Sequence, residues 1–275
     1  MPELPETETM ARDLDRTVAG ATITGVKVRR PDVLREVSAR TLARRVTGAT
    51  ILRSWRRAKF VITDLSTGDR IVVQPRFTGM LLVDNGLLPA SSLAYSAVKL
   101  TLDDDRALHY ADVRRLGTFA LMDPARFTEY TAPLGVEPLD RSFTRQHLSR
   151  LLAATTQPLK RAIMDQHKIA GIGNIYASEA LWRARLDPSR SAATVTPAEA
   201  KRLRDSIVTV LARAVEARGT SFRDYRDTRG ERGSFSLRLS AYGRGGLPCP
   251  RCSARLITTH AIDGRATTFC ARCQS

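Results

Sequence analysis

The chain closes with Cys249-Pro250-Arg251-Cys252, then 17 residues, then Cys270-Ala271-Arg272-Cys273. No other feature narrows the possible folds as far. Two C-x2-C knuckles at the ends of a β-hairpin set four thiolates around one Zn²⁺, a closed structural site with no open position for water. These are the only cysteines among 275 residues, and all lie in the last 27. Thiols confined to one cluster fit metal in a reducing compartment, whereas two disulfides would fit a cytoplasmic chain poorly. His260 reads as a hairpin residue, because Cys249, Cys252, Cys270 and Cys273 already fill the coordination sphere.

Formal net charge is +16, with a sequence pI near 10.6. Such an excess points to a polyanionic partner, most simply nucleic acid. Six of the 44 basic residues are lysine, at 27, 59, 99, 160, 168 and 201, which leaves 38 arginines, the side chain suited to bidentate phosphate contacts. Codon bias would explain arginine over lysine but not the net charge. With 43% hydrophobic residues the chain can bury a real core, and its length implies two domains or more. No apolar run reaches the length of a membrane span, and the N-terminus carries acids where a signal peptide would be basic and then apolar. A cytoplasmic protein without membrane contact is expected.

The chain opens Met1-Pro2-Glu3-Leu4-Pro5-Glu6. Removal of the initiator methionine, which a small second residue favours, would make the Pro2 ring nitrogen a free secondary amine. A terminal amine titrates near 7.7–8.0, against about 10.4 for lysine, so more of it is unprotonated at neutral pH. On a sugar aldehyde carbon it would form an iminium ion, an electron sink, with Glu3 alongside to move protons. Taken alone, the stretch reads first as an extended entry to a helix.

Residues 5–18 read as that helix, with Met10, Leu14 and Val18 every four positions, Glu6 and Glu8 in the first turn, and Gly20 as the stop. Short β-rich runs follow at 21–28, 49–55, 60–65, 70–74, 80–83, 97–102, 107–110 and 118–121, separated by turn signals, with a helix only at 38–45. That pattern predicts a β-sandwich or barrel. Prolines 124, 133 and 138 with Gly135 mark 123–142 as a linker or domain boundary. Helical periodicity then takes over at 143–154, with Phe143, His147 and Leu151 on one face, and at 159–166, 174–184 and 196–219. The last of these opens on a capping box, Thr196 with Glu199, and Pro197 in its first position. The glycine- and arginine-rich stretch 219–246 is either a loop that orders over a ligand or a basic linker.

The opening Pro2-Glu3-Leu4-Pro5-Glu6, the run Gly171-Ile172-Gly173-Asn174-Ile175-Tyr176-Ala177-Ser178-Glu179, and the four-cysteine hairpin with Gly264-Arg265-Ala266-Thr267 together resemble the formamidopyrimidine-DNA glycosylase family. The resemblance spans the chain, with motifs in family order and spacing. It implies an α+β multidomain protein: an N-terminal β-sandwich with a leading helix (1–130), a helix-two-turn-helix DNA-binding domain (131–235) and a zinc β-hairpin (236–275). The implied activity is excision of oxidised purines such as 8-oxoguanine and formamidopyrimidines from double-stranded DNA by a monomer, followed by β,δ-elimination at the abasic site.

In that scheme Pro2 attacks C1′ and Glu3 is the general acid/base, while Lys59 and Arg265 match residues given proton-donor roles in the eliminations. For Arg265, neutralising phosphate is the better chemistry, since a guanidinium with pKa above about 12 is a poor acid. Lys160 matches a residue near the lesion and Asn174 a phosphate contact, while the loop around Ser221 and Arg223 matches one that closes over the flipped base. A base inside a duplex must be extruded before it can be reached, and wedge side chains fill the gap.

Arg114 matches the family wedge arginine. Phe77 stands where methionine is usual, and Leu116 where phenylalanine is usual. Core packing is the alternative for both. Tyr95 replaces a phosphate-contacting histidine and brings a hydrogen bond without charge. Two rival readings are an endonuclease VIII-like enzyme for oxidised pyrimidines and a non-catalytic zinc-hairpin DNA-binding protein. Leu4 and the run 174–179 favour the purine branch, and the intact Pro2, Glu3 and Lys59 favour an enzyme.

Overall fold

In the computed structural model, which describes residues 2–221 and 225–275, the chain divides into two compact units, Met1–Pro133 with Ala217–Ser234, and Leu134–Glu216 with Phe235–Ser275. The first begins with α1 (Leu4–Val18). Pro5 sits in its first turn, where a missing N–H costs nothing, and Met10, Leu14 and Val18 form its fully buried stripe.

Nine strands follow in this unit among the described residues: β1 (Ile23–Val28), β2 (Leu34–Arg35), β3 (Ile51–Arg57), β4 (Phe60–Leu65), β5 (Arg70–Gln74), β6 (Gly79–Asp84), β7 (Ser96–Leu102), β8 (Ala107–Asp112) and β9 (Thr118–Met122). They form two sheets, ordered β1-β7-β8-β6 and β2-β9-β5-β4-β3, whose inner faces share one core with α1. Eight of the nine fall where the alternation placed them. The exception, β2, is two residues long and carries no period to read.

Three short helices complete the unit: α2 (Ala39–Val46), capped by the Ser38 side chain; α3 (Ala90–Leu93); and α4 (Pro124–Thr131). The last corrects the linker half of the reading of 123–142, while the division between the units, at Pro133 and Leu134, falls inside that stretch as the boundary half expects. Asp123 caps the Arg126 N–H at 2.9 Å and Pro124 opens the helix, so a proline taken as a breaker is a helix start.

Residues 217–234 fold with the first unit. Arg218 bridges Asp13 and Asp227, and Thr228 donates to Asp13 at 3.1 Å. Arg223 of the loop expected to close over a base lies outside the described residues.

The second unit holds α5 (Arg145–Ala153), α6 (Leu159–Met164), α7 (Asn174–Ala184), α8 (Pro197–Glu216) and the hairpin β10 (Ile257–Thr259) and β11 (Thr267–Phe269). The capping box of α8 is formed: Thr196 N–H donates to Glu199 Oε2 at 2.9 Å, and Glu199 N–H donates to Thr196 Oγ1 at 3.3 Å. On α5 the buried side chains are Leu148 and Leu152, one position on from the expected His147 and Leu151. No helix among the described residues is long and apolar enough to cross a membrane.

Candidate active site

Pro2 and Glu3 lie below the surface at the start of α1, and their placement is fixed from behind by Glu6, itself 1% exposed. One oxygen of the Glu6 carboxylate accepts the Glu3 N–H at 2.8 Å, and the other accepts the Thr220 N–H at 2.7 Å. A side chain on Gly219 would strike that carboxylate, its Cβ falling 2.8 Å from Glu6 Oε1, and φ there is +82°. The first-turn acid therefore does more than complement the helix dipole: it anchors the N-terminus to residues 219–220.

Lys59 sits in the turn between β3 and β4, with Ala58 at φ +52°. Arg56 ties this hairpin to α1 through Glu8 at 2.7 Å. Burial would raise the Glu8 pKa, but the charge and hydrogen bond of Arg56, helped by Arg12, hold it below the usual carboxylate range.

The three residues expected to form the wedge lie on the loops after β5 and β8. Phe77 and Leu116 are 44% and 43% exposed, which removes core packing as their role. The Arg114 guanidinium lies 4.9 Å from the Phe77 ring centroid, a cation–π contact. Both loops hang on Asp112, which is 2% exposed. Its carboxylate accepts from Thr78 Oγ1, from Arg114 N–H at 3.2 Å, from Tyr110 O–H at 3.1 Å and from Gly117 N–H at 2.8 Å. Thr78 Oγ1 in turn accepts a second Arg114 N–H contact at 2.9 Å. Gly117 is obligatory, since a Cβ there would lie 2.2 Å from the Tyr110 hydroxyl.

Tyr95, 53% exposed, opens onto a cavity of about 560 Å³ that Arg29, Arg30 and Arg115 also line. Neighbouring guanidiniums supply the positive charge that a tyrosine lacks.

In the second unit, Asn174 is the first residue of α7 and donates from Nδ2 to the Ala266 carbonyl at 3.0 Å. Glu179, the last residue of the same run, accepts three backbone N–H groups, from Ser240 at 2.9 Å and from Ala241 and Tyr242 at 2.8 Å each. Burial pushes its pKa up against those bonds. It fastens α7 to the segment that leads into the hairpin.

Lys160 is placed differently from expectation. It is 0% exposed, with Nζ 2.7 Å from Thr267 Oγ1 and 3.2 Å from an Asp263 carboxylate oxygen. Its ammonium has no exposed surface and is paired inside the fold. Asp263 Oδ1 also accepts the Arg265 N–H at 3.0 Å, and Thr267 Oγ1 lies 3.2 Å from the Arg265 carbonyl. Lys160 therefore shapes the turn that presents Arg265, which is itself exposed.

Sequence reasoning passed over Asp112 and Asp263, and saw Glu6 only as a first-turn acid. Part of what each binds is local, Glu6 closing a capping box with Glu3 and Asp112 taking the Arg114 and Gly117 N–H groups. Thr220, Thr78 and Lys160, however, are brought to Glu6, Asp112 and Asp263 only by the fold.

The four cysteine sulfurs all lie within 4.8 Å of one another. Sulfurs about 3.8 Å apart would surround a tetrahedral zinc with bonds of about 2.3 Å, so the set fits the ion. Burial would raise Cys249, but the Trp182 indole N–H at 3.5 Å and the backbone N–H groups of Arg251 and Cys252 bring it down to about 6. Cys273, sharing a hydrogen bond with the Cys252 thiol, is pushed up to about 12. Crowded thiols of this kind ionise together only around a cation. Bound there, one Zn²⁺ would join the two knuckles as a structural cross-link.

Comparison with known proteins agrees along the whole chain. Residues 1–119 match the formamidopyrimidine-DNA glycosylase N-terminal domain, 134–226 the H2TH domain of the same enzymes, and 246–275 a zinc finger found in FPG and IleRS. The formamidopyrimidine-DNA glycosylase of Carboxydothermus hydrogenoformans is 41% identical over 276 residues, covering 100% of both chains. The crystal structure of the MutM (Fpg) protein from Thermus thermophilus superposes with a TM-score of 0.87 at 37% identity, over 99% of this chain and 98% of that one. Lactococcus lactis Fpg in complex with DNA containing N7-benzyl-Fapy-dG gives a TM-score of 0.92 at 29% identity, with both chains fully covered. Three domain matches in order and full-length identity near two in five carry one conclusion: this chain belongs to the formamidopyrimidine-DNA glycosylase family.

Proposed function

We propose that the chain is a base-excision DNA glycosylase and AP lyase that acts as a monomer in the cytoplasm, on oxidised purines in double-stranded DNA. The anchored N-terminus carries this reading. Binding DNA requires no fixed terminal amine, yet here a buried carboxylate takes the Glu3 N–H at 2.8 Å and holds Pro2 and Glu3 at one place.

With Met1 removed, the lone pair of the Pro2 nitrogen attacks C1′ of the damaged nucleotide. The glycosidic C1′–N bond breaks, its electron pair leaves with the base, and the base is protonated as it departs. Loss of the amine proton and opening of the C1′–O4′ bond give the iminium ion, with Glu3 as the acid that protonates O4′. The iminium acidifies the C2′ proton, and its removal expels the 3′ phosphate. A further elimination expels the 5′ phosphate, and water then releases Pro2. In each elimination negative charge grows on phosphate oxygens, and Lys59 and Arg265 are the cations we assign to neutralise it. Phe77, Arg114 and Leu116 fill the space of the extruded base, and Tyr95 and Asn174 contact the backbone.

Borohydride reduction during reaction with an 8-oxoguanine duplex tests the proposal. A covalent protein–DNA adduct is expected, and its absence would leave only a binding protein. A duplex carrying thymine glycol should trap less, and the reverse order would place the enzyme with the pyrimidine-specific branch.

A further inference from the structure

A cavity in the second unit is lined in part by Arg265. It measures about 490 Å³ and is lined by Gln157, Arg161, Met164, Asp165, Asp263 and Arg265. Two arginines and two aspartates would suggest a neutral lining, but the partners of the acids decide otherwise. Asp263 is spent on the buried Lys160 at 3.2 Å, and Asp165 faces Lys168 at 3.6 Å and the His167 ring at 3.2 Å. Arg161 and Arg265 are both exposed, and among the described residues neither has a carboxylate partner. Positive charge in the cavity is therefore uncompensated.

Successive residues of a helix point about 100° apart. On α6 this sends Lys160 inward and Arg161 outward. The lysine supports the turn that presents Arg265, and its neighbour shares the cavity that Arg265 lines. Two guanidiniums on one concave surface, with the Gln157 amide beside them, suit the tetrahedral oxygens of a phosphodiester.

We propose that Arg161 and Arg265 together bind one backbone phosphate of the DNA, so that Arg161 is the cation of α6 that meets the substrate. This rests on the reading of the chain as a DNA repair enzyme. It adds a binding residue that the sequence does not mark, since Arg161 is one of 38 arginines and lies beside the lysine that the resemblance singles out.

The test is the salt dependence of binding to a duplex carrying a reduced abasic site, which cannot be cleaved. Arg161→Gln should make the slope of log K against log salt shallower, by at most about 0.9, the contribution of one phosphate contact, because Arg265 stays on the same phosphate. Arg161→Lys should restore the slope while leaving affinity below wild type, because a point charge replaces a bidentate fork. A scan of single methylphosphonates along the duplex should then find one position at which wild type and Arg161→Gln bind alike. An unchanged slope in Arg161→Gln, or no such position, would overturn the proposal. If instead the wild-type protein fails both to bind this duplex and to trap on an 8-oxoguanine duplex, the functional reading itself has failed, whatever Arg161 does.

Discussion

Two aspartates hold the presenting loops of this molecule, one buried and one half-buried, and they do so by different means. Asp112, in the first unit, takes only neutral donors: two hydroxyls and two backbone N–H groups. Asp263, in the second, takes the ammonium of a lysine that has no exposed surface, along with one backbone N–H. Neutral donors give a rigid frame at small desolvation cost. A buried ion pair gains little over a good apolar pair, yet it is costly to break from one side. The wedge loops and the Arg265 turn should therefore fail differently when their carboxylates are removed.

The largest effect is expected where the hairpin that carries Asp263 is itself released. Cys252→Ser should lose zinc and unravel the hairpin, with a marked fall in DNA affinity. Metal analysis together with a binding titration checks this, and retained stoichiometric zinc with full affinity would contradict it.

Next in size is Asp263→Ala, which strands the Lys160 ammonium and should cost about 3 kcal/mol in urea unfolding. The double replacement Lys160→Met with Asp263→Leu should recover most of that stability while leaving the abasic lyase rate low, because the turn presenting Arg265 loses its support. Equal losses of stability in the single and double variants would break the contrast.

Asp112→Asn keeps the size and two of the acceptor sites, so about 1–2 kcal/mol is expected. The more telling readout is excision. Activity should drop further on a fully paired duplex than on a lesion already unpaired, because Phe77, Arg114 and Leu116 are displaced together. An equal drop on both would separate Asp112 from the wedge.

The smallest effect concerns an exposed cap. The hydrogen bond from Arg190, with Thr196, lowers Glu199 to about 2 against some opposing burial. A carboxyl depressed in the folded state stabilises above its unfolded pKa of about 4.3, and that stability is lost as pH falls toward 2. Glu199→Gln should therefore cost about 0.5–1 kcal/mol at pH 7 and almost nothing near pH 2, as measured by denaturation at the two values.

What the sequence made legible follows the range of the interactions. The zinc site rests on cysteine spacing, the α8 cap on Thr196 and Glu199 three residues apart, and the strands on alternation, so all were readable locally. The helix α4 was hidden because Pro124 and Pro133 look like a linker unless Asp123 is taken as a cap. The glycines and arginines of 219–246 read as a ligand-ordered loop or a basic linker, and only Asp13, 205 positions from Arg218, shows why the described residues at 217–221 and 225–234 group with the first unit. The resemblance puts Lys160 near the lesion, and its burial was hidden for the same reason, since the aspartate that pairs with it is 103 residues away. Phe77 and Leu116 depart from family usage, yet both stand exposed where a wedge would need them.

The most direct measurement is mass spectrometry of the N-terminal peptide from a borohydride-trapped adduct. A mature chain that begins at Pro2, with the sugar remnant attached to the proline nitrogen, is the predicted result. A chain that still carries Met1 and excises at full rate, or a remnant attached to a lysine peptide instead, would contradict the account.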